Sequence, residues 1–201
     1  MKVLNLYAGI GGNRKLWKDV EVTAVENNEE IARIYKDFFP EDKIVIADAH
    51  KYLLEHYKEF DFIWSRPPCP THSDIRRCAV HRGLYDAKYP DMKLYEEIIL
   101  LKHFSKCPYV VENVKGFYTP LIKPFEVNRH YFWSNFPISP IDFNDDRIHN
   151  DIVGSVPVYG FDLKNYNIDN KKQILRNLVC PELGLHVLEC AFKYKQNRLE
   201  D

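Results

Sequence analysis

The sequence predicts an α/β fold in which a mostly parallel β-sheet carries helices on both faces. Short apolar runs of strand length alternate with longer amphipathic segments along the chain. Strands that alternate with helices in this way form parallel sheets covered by the connecting helices. Because the chain has 201 residues and no internal repeat, we expect a single domain, 1–201.

The elements follow one another in a regular order. The predicted strands are 2–6, 22–26, 43–48, 61–65 and 109–114, and the predicted helices are 27–39, 49–60 and 91–106. In the first helix, apolar residues recur with helical spacing from Ile31 to Phe39, and Pro40 stops it. The carboxyl ends of parallel strands share one edge of the sheet, where ligands bind. Five chemically notable residues end or follow predicted strands: Gly9, Glu26, Asp48, Cys69 and Glu112.

Composition narrows the class of protein. With 45% hydrophobic and 28% charged residues, the chain resembles an ordinary globular protein. No run approaches the roughly 20 apolar residues of a membrane span, and the start "MKVLNLY" leaves no room for a cleavable signal. We therefore expect no membrane partner, a cytoplasmic location and free thiols at the five cysteines, which form no CxxC pair. Because the net charge is −1, any polyanion site has to be a local patch.

The first strand ends in "LYAGIGGNR", a glycine-rich turn. Glycines at this point let the backbone approach a ligand, and we expect the turn to open a helix whose N-terminus favours an anion. Arg14 stands where a dinucleotide fingerprint has its third glycine. Glu26 lies where a carboxylate usually binds ribose hydroxyls, and Asp48 ends the next predicted strand. This pattern suits a nucleoside cofactor without a pyrophosphate, S-adenosylmethionine rather than NAD, although the turn alone is also typical of a tight strand-to-helix connection.

Cys69 lies among three prolines in "RPPCP", directly after a predicted strand. A lone cysteine is usually a buried structural residue. Proline fixes the backbone here, however. In addition, the segment from 66 to 82 contains four arginines and only one aspartate, so it carries a net positive charge. Nearby cations lower a thiol pKa from about 8.5 and favour the nucleophilic thiolate. We therefore expect Cys69 to be a nucleophile.

Two Cys-x-x-His pairs offer a competing interpretation. They are Cys69 with His72 and Cys78 with His81, and together they have the ligand types of a Cys2His2 zinc site. Only five residues separate the pairs, against about 12 in a zinc finger, and prolines restrict the first pair. We therefore expect no metal.

Glu112 lies in the apolar segment "PYVVEN". A carboxylate beside a buried run is costly unless it is paired or used, and burial raises a carboxyl pKa, so that the group can donate a hydrogen bond near neutral pH. A surface glutamate at a strand terminus is the simpler alternative. With Cys69, Glu112 indicates nucleophilic addition assisted by a proton donor.

Six segments and a closing one occur in a fixed order. They are "LNLYAGIGG", "VTAVENNEE", "ADAHKYL", "SRPPCPTHS", "VVENVKGF", "RHYFWSNF" and "QILRNLVCPELGLHVLECAF". Together they resemble the ordered motifs of the cytosine-C5 DNA methyltransferases, over nearly the whole chain except about 140–170. The small size is similar to that of short phage- and prokaryote-encoded members. The resemblance implies a Rossmann-like S-adenosylmethionine-dependent methyltransferase fold and, as in relatives of restriction–modification systems, DNA as the partner.

The resemblance also implies a role for individual residues. Cys69 would attack C6 of a cytosine flipped out of its stack, Glu112 would hold N3 and the exocyclic amine, and Arg129 would orient the base. The cofactor-binding residues implied are Tyr7, Ala8, Gly9, Ile10, Gly11, Gly12, Glu26, Asn27, Asp48, Ala49, Pro67, Asn177 and Val179. The basic loop over 72–82 would contact the nucleic acid through His72, Arg76, Arg77, His81 and Arg82.

The chain departs from the family pattern at three places. Pro70 follows the cysteine where glutamine is commoner, and Tyr131 stands where a second arginine is usual. Residues 137–172 form a short, polar insert in place of a target-recognition domain. We therefore expect relaxed specificity, or target recognition through a homodimer or partner subunit. A tRNA cytosine as substrate, and a catalytically silent cofactor-binding regulator, stay open as alternatives.

Overall fold

A seven-stranded mixed sheet forms the centre of the computed structural model, which describes residues 1–141 and 158–197. The strands are β1 (Lys2–Leu6), β2 (Glu21–Glu26), β3 (Lys43–Ile46), β4 (Phe62–Ser65), β5 (Tyr109–Val114), β6 (Phe125–Val127) and β7 (His130–Ser134). The helices are α1 (Glu29–Phe38), α2 (Ala49–His56), α3 (Asp74–His81), α4 (Lys93–Phe104), α5 (Lys171–Arg176) and α6 (Pro181–Asn197). The predicted α/β class and the mostly parallel sheet are confirmed.

Strand order explains where a ligand can bind. The order is β3-β2-β1-β4-β5-β7-β6, with parallel pairing from β3 to β5 and antiparallel pairing of β7 with both its neighbours. β2 pairs with one side of β1, and β4 pairs with the other side. The loops that follow β1 and β4 therefore run in opposite directions away from the middle of the sheet. A crevice opens at such a point, outside the carboxyl ends of the strands. The glycine turn and the proline loop are those two loops.

Several predicted boundaries are wrong for local reasons. The glycine turn does not open a helix; residues 9–17 form consecutive turns closed by bonds such as Arg14 N–H to the Gly11 carbonyl. β3 ends at Ile46, because the Asp48 side chain accepts hydrogen bonds from the N–H groups of His50 and Lys51 and thereby begins α2. The basic segment predicted as a loop contains a helix, α3, whose N-cap is Ser73.

The closing segment packs against the beginning of the chain. The indole N–H of Trp17 donates to the Gly184 carbonyl at 3.0 Å, and the apolar side of α6 joins Trp17 in the core between helix and sheet. A Cβ atom on Gly184 would lie 2.3 Å from the Asn13 carbonyl oxygen, so only glycine permits this approach. The contact holds α6 and the loop before it beside the glycine turn.

Part of the predicted insert lies outside the described residues. Of 137–172, the structure describes 137–141 and 158–172, including a bridge between Val158 and Phe161. Phe161 packs on Phe38 of α1, so this end of the insert covers α1. No helix in the described ranges has the length and apolar character that crossing a membrane requires.

Candidate active site

A cavity of about 380 Å³ lies between the glycine turn, the proline loop and the segment before α6. Its volume is within the usual range for small-ligand sites. The predicted residues that line it are Tyr7, Ala8, Gly9, Ile10, Gly12, Glu26, Asn27, Pro67, Cys69, Asn177 and Val179. The fold thus brings most of the predicted cofactor residues and the predicted nucleophile to one cavity.

Three of the predicted cofactor residues do not line this cavity. Gly11 packs closely against Phe39: a Cβ atom at this position would lie 2.3 Å from the Phe39 ring, and the φ of Gly11 is +88°. Asp48 is the exposed N-cap of α2, and Ala49 is buried in the core. Their predicted roles stay predictions.

Glu26 forms part of the cavity wall at the end of β2. One carboxylate oxygen accepts the Gly9 N–H and the other accepts the Asn28 N–H, both at 3.0 Å. Gly9 has φ +55°, and a Cβ atom on it would meet nothing within 4 Å, so its backbone faces open space. The carboxylate is therefore held in one orientation by two amides, at the edge of a space that a ligand can enter.

A buried glutamate that the sequence analysis missed supports Tyr7. Glu97 of α4 is fully buried and accepts hydrogen bonds from the Tyr7 hydroxyl at 2.6 Å and from the Ser65 hydroxyl. His50 Nδ1 lies 3.0 Å from the same carboxylate, which raises the pKa of His50 mainly through that hydrogen bond. Tyr7 itself has φ +54°. This network fixes Tyr7 in a strained conformation at the cavity wall. In the sequence, the only indication of a role for Glu97 was its position within an apolar helix.

The proline loop is tied down on both sides of Cys69. The Asn113 side chain donates to the Pro67 carbonyl at 3.0 Å, which joins the loop to β5. After the cysteine, His72 is buried, with Nδ1 2.7 Å from the Tyr118 hydroxyl and Nε2 3.0 Å from the Asp91 carbonyl. Prolines and these anchors together fix the backbone that carries the thiol.

The predicted lowering of the Cys69 pKa is wrong for the protein alone. Burial raises the pKa of this thiol, and the Glu112 charge raises it further, whereas the Arg66 charge opposes the rise. Two other arginines of the segment make contacts elsewhere: Arg77 pairs with Asp74 at 2.7 Å, and Arg76 lies over the Tyr85 ring. The sequence showed that arginines lie near Cys69 along the chain, but not that α3 carries Arg76 and Arg77 into contacts with other residues.

Glu112 lies inside β5, where it is fully buried between two basic groups. Arg66 Nε is 2.8 Å from one carboxylate oxygen, and His130 Nδ1 is 2.5 Å from the other. The Arg66 guanidinium also donates to the Asn177 carbonyl. Arg66 therefore links the buried carboxylate to the segment that closes the cofactor cavity.

His130, the neighbour of the predicted base-orienting residue Arg129, lies beside Glu112. β5 and β7 pair with Glu112 opposite Phe132 and Val114 opposite His130, so His130 lies on the same face as Glu112. Arg129 is exposed in the turn between β6 and β7. Tyr131 points to the other face and packs on Trp133. The alternation of side chains along β7 would have predicted that His130 lies beside Glu112, but only if the pairing register of β5 with β7 had been known.

The predicted nucleic-acid residues divide into two groups. Arg77, His81 and Arg82 are exposed and Arg76 is half-buried, all on α3 or at its end. His72 makes two buried hydrogen bonds, and burial lowers its pKa, so it does not offer a charge to phosphate.

In the part of the chain that the structure describes, no three His, Cys, Asp or Glu side chains are grouped to hold a metal ion.

Comparison with known proteins decides the family. A family model described as C-5 cytosine-specific DNA methylase matches residues 1–125, which include the glycine turn, Glu26, Cys69 and Glu112. The chain belongs to this family. Its fold is the Rossmann-like methyltransferase fold, and S-adenosylmethionine is the cofactor, as the motifs predict.

Individual relatives are more distant. The chain is 27% identical over 153 residues to a tRNA (cytosine(38)-C(5))-methyltransferase of Spodoptera frugiperda, covering 69% of this chain and 44% of that protein. The crystal structure of a Spodoptera frugiperda DNMT2 mutant is 26% identical, with TM-score 0.41 over 58% of this chain and 36% of that one. A putative prophage DNA modification methyltransferase of Escherichia coli is 19% identical, with TM-score 0.44 over 74% and 54%. The chain thus spans less than half the length of the tRNA methyltransferase.

The cavity residues fit S-adenosylmethionine. The cofactor carries ribose hydroxyls, an adenine and a sulfonium that bears the methyl group. The Glu26 carboxylate, fixed by two amides, suits hydroxyl donors, and the apolar walls at Ile31, Leu178 and Val179 suit an adenine ring. Cys69, the predicted nucleophile, lines the same cavity.

Proposed function

We propose that the protein methylates C5 of cytosine in DNA through a covalent bond between Cys69 and C6. The observation that carries this proposal is the arrangement around Arg66: its guanidinium pairs with buried Glu112, reaches Asn177 and lines the same cavity as Cys69. Family membership supplies the reaction class. The single catalytic domain, 1–201, and the short insert at 137–172 are parts of the same proposal.

Each polar group has a part in the proposed chemistry. The Cys69 thiolate adds to C6, which interrupts the aromaticity of the ring and places electron density on C5. Glu112, oriented by Arg66 and His130, holds N3 and the exocyclic amine, and in its carboxylic acid form it gives N3 a proton as the thiolate adds. S-adenosylmethionine supplies the electrophilic methyl group that C5 receives. Loss of the C5 proton to water then breaks the C6–S bond and returns the thiolate, and N3 gives its proton back to Glu112.

A methyl-transfer assay tests the proposal. Purified protein would receive isotope-labelled S-adenosylmethionine with mixed-sequence DNA and, separately, total tRNA. We expect label in DNA as 5-methylcytosine. Label in tRNA alone would replace DNA by RNA as the substrate, and no label in either, with measurable cofactor binding, would favour a silent regulator or a missing partner subunit.

RNA is the second candidate substrate. The relative from Spodoptera frugiperda acts, by its name, on a tRNA cytosine, and it is similar over 69% of this chain. The formal charge of −1 does not distinguish the two polymers. The tRNA arm of the assay decides between them.

Replacing Glu26 by alanine is expected to weaken S-adenosylmethionine binding by about tenfold or more. The change removes charge-assisted hydrogen bonds to the ribose and frees the amides of Gly9 and Asn28. Titration calorimetry measures the effect. Glu29→Ala, an exposed substitution in the first turn of α1, is the matched control and should bind normally. Equal affinity for the Glu26→Ala protein would remove Glu26 from the cofactor site.

Alkylation of Cys69 is expected to need alkaline pH. Since burial raises the pKa of this thiol, its thiolate fraction stays small at neutral pH and grows as pH rises above the ordinary value of about 8.5. Iodoacetamide labelling of the free protein, followed peptide by peptide by mass spectrometry, gives the midpoint, with exposed Cys78 as internal comparison. Arg66→Leu should move the Cys69 midpoint higher. A midpoint below pH 7 would contradict this account.

A further inference from the structure

Exposed aromatic side chains lie on the segment that follows Cys69 and on the loop after β5. Every residue from 81 to 89 is exposed, and none of the eight residues of α3 is buried against the described part of the chain. Tyr89 is 96% exposed, Tyr85 55% and Phe117 41%. Exposed aromatic side chains on neighbouring segments indicate a binding surface. We call these three aromatic residues, with Arg76 and Arg77, the aromatic rim.

The aromatic rim is continuous with the proposed active site. The Phe117 N–H donates to the His72 carbonyl at 3.1 Å, and the His72 N–H donates to the Cys69 carbonyl at 2.9 Å. Ser73, the N-cap of α3, forms a bridge with Gly116. Two backbone hydrogen bonds therefore connect the rim to the residue that carries the nucleophile.

Two arginines of the rim lie against two of its rings. The Arg76 guanidinium lies 3.9 Å from the centre of the Tyr85 ring, and the Arg77 guanidinium lies 5.9 Å from that of Phe117. Arg82 and Lys88 are exposed in the same stretch, together with Asp86, and Arg77 also pairs with Asp74. Bases that are not stacked on one another stack on aromatic rings, while arginines pair with the phosphates between them. A duplex offers only phosphates and base edges, and hides the faces that such rings bind.

We propose that the aromatic rim binds unpaired nucleotides on either side of the target cytosine. The substrate segment is then a loop or a single strand. This inference rests on the proposed cytosine methylation and specifies its substrate. An unpaired target also removes most of the cost of extracting a base from a duplex, which suits a chain with so short an insert at 137–172.

Binding measurements on the full chain test the inference separately from turnover. Fluorescence anisotropy would compare one cytosine-containing sequence as single-stranded DNA, as RNA and as duplex DNA. We expect the single strands to bind more tightly, and Tyr89→Ala and Phe117→Ala each to weaken that binding by about tenfold. Tyr89→Phe should retain affinity because the ring face remains. Phe104→Ala, which removes an exposed ring at the far end of α4, is the matched control.

The outcomes separate this inference from the proposed function. Tighter binding of the duplex, or single-strand binding unchanged in Tyr89→Ala, would overturn the inference even if cytosine were methylated. Ring-dependent binding of single strands supports it even if no methyl transfer occurs, and then the proposed activity fails instead. Preference for RNA or for DNA among the single strands identifies which polymer supplies the unpaired segment.

Discussion

Cys69→Ser is expected to abolish methyl transfer while S-adenosylmethionine still binds. A serine hydroxyl does not ionise near neutral pH, so it cannot add to C6, whereas the substitution changes one atom of the cavity wall. Removing a catalytic nucleophile lowers turnover by several orders of magnitude, and we expect a loss of at least about a thousandfold. Labelled methyl transfer and titration calorimetry measure the two quantities.

Cys78→Ser is the control for this experiment. Cys78 is exposed on α3, so its substitution should leave both quantities unchanged. Turnover at the normal rate in the Cys69→Ser protein would show that the nucleophile is another group. Loss of cofactor binding together with turnover would show instead that Cys69 is needed for the shape of the cavity.

Glu112→Gln is expected to lower turnover by about a hundred- to ten-thousandfold, the usual contribution of a positioned proton donor. The amide keeps the shape of the side chain, but it loses the ion pair with Arg66 and the short contact with His130. It also cannot supply a proton to N3. Single-turnover methyl transfer measures the rate, and calorimetry should show cofactor binding within a few-fold of normal.

The control for Glu112→Gln is Glu126→Gln, which removes an exposed carboxylate paired with Lys115 on the edge strand β6. It should be fully active. If Glu112→Gln retained the normal rate, buried Glu112 would be a structural partner of Arg66 and the proton would come from elsewhere.

The sequence was enough to predict the parallel strands and most of the cavity. Apolar runs ending in Gly9, Glu26 and Cys69 place these residues at one edge of the sheet whatever the details of packing, because strand direction alone determines it. The family resemblance, and not strand direction, placed Asn177 and Val179 at the cofactor cavity.

Features that depend on register or long-range contact were beyond the sequence. His130 lies beside Glu112 only because β5 pairs with β7. Of the four arginines counted in the sequence, it is Arg66 that contacts Glu112. The Cys69 pKa was predicted in the wrong direction because a count of nearby cations omits burial. Asp48 caps a helix instead of extending a strand, since its side chain competes for backbone N–H groups.

Trapping the covalent intermediate tests the central claim most directly. In an oligonucleotide with fluorine at C5 of cytosine, the final loss of a C5 proton cannot occur, so the C6–S bond persists after methyl transfer. Intact mass spectrometry should find the protein joined to oligonucleotide and methyl group, and peptide mapping should place the bond at Cys69. A bond at another residue, or no adduct with an oligonucleotide whose unfluorinated form is methylated, would contradict the account.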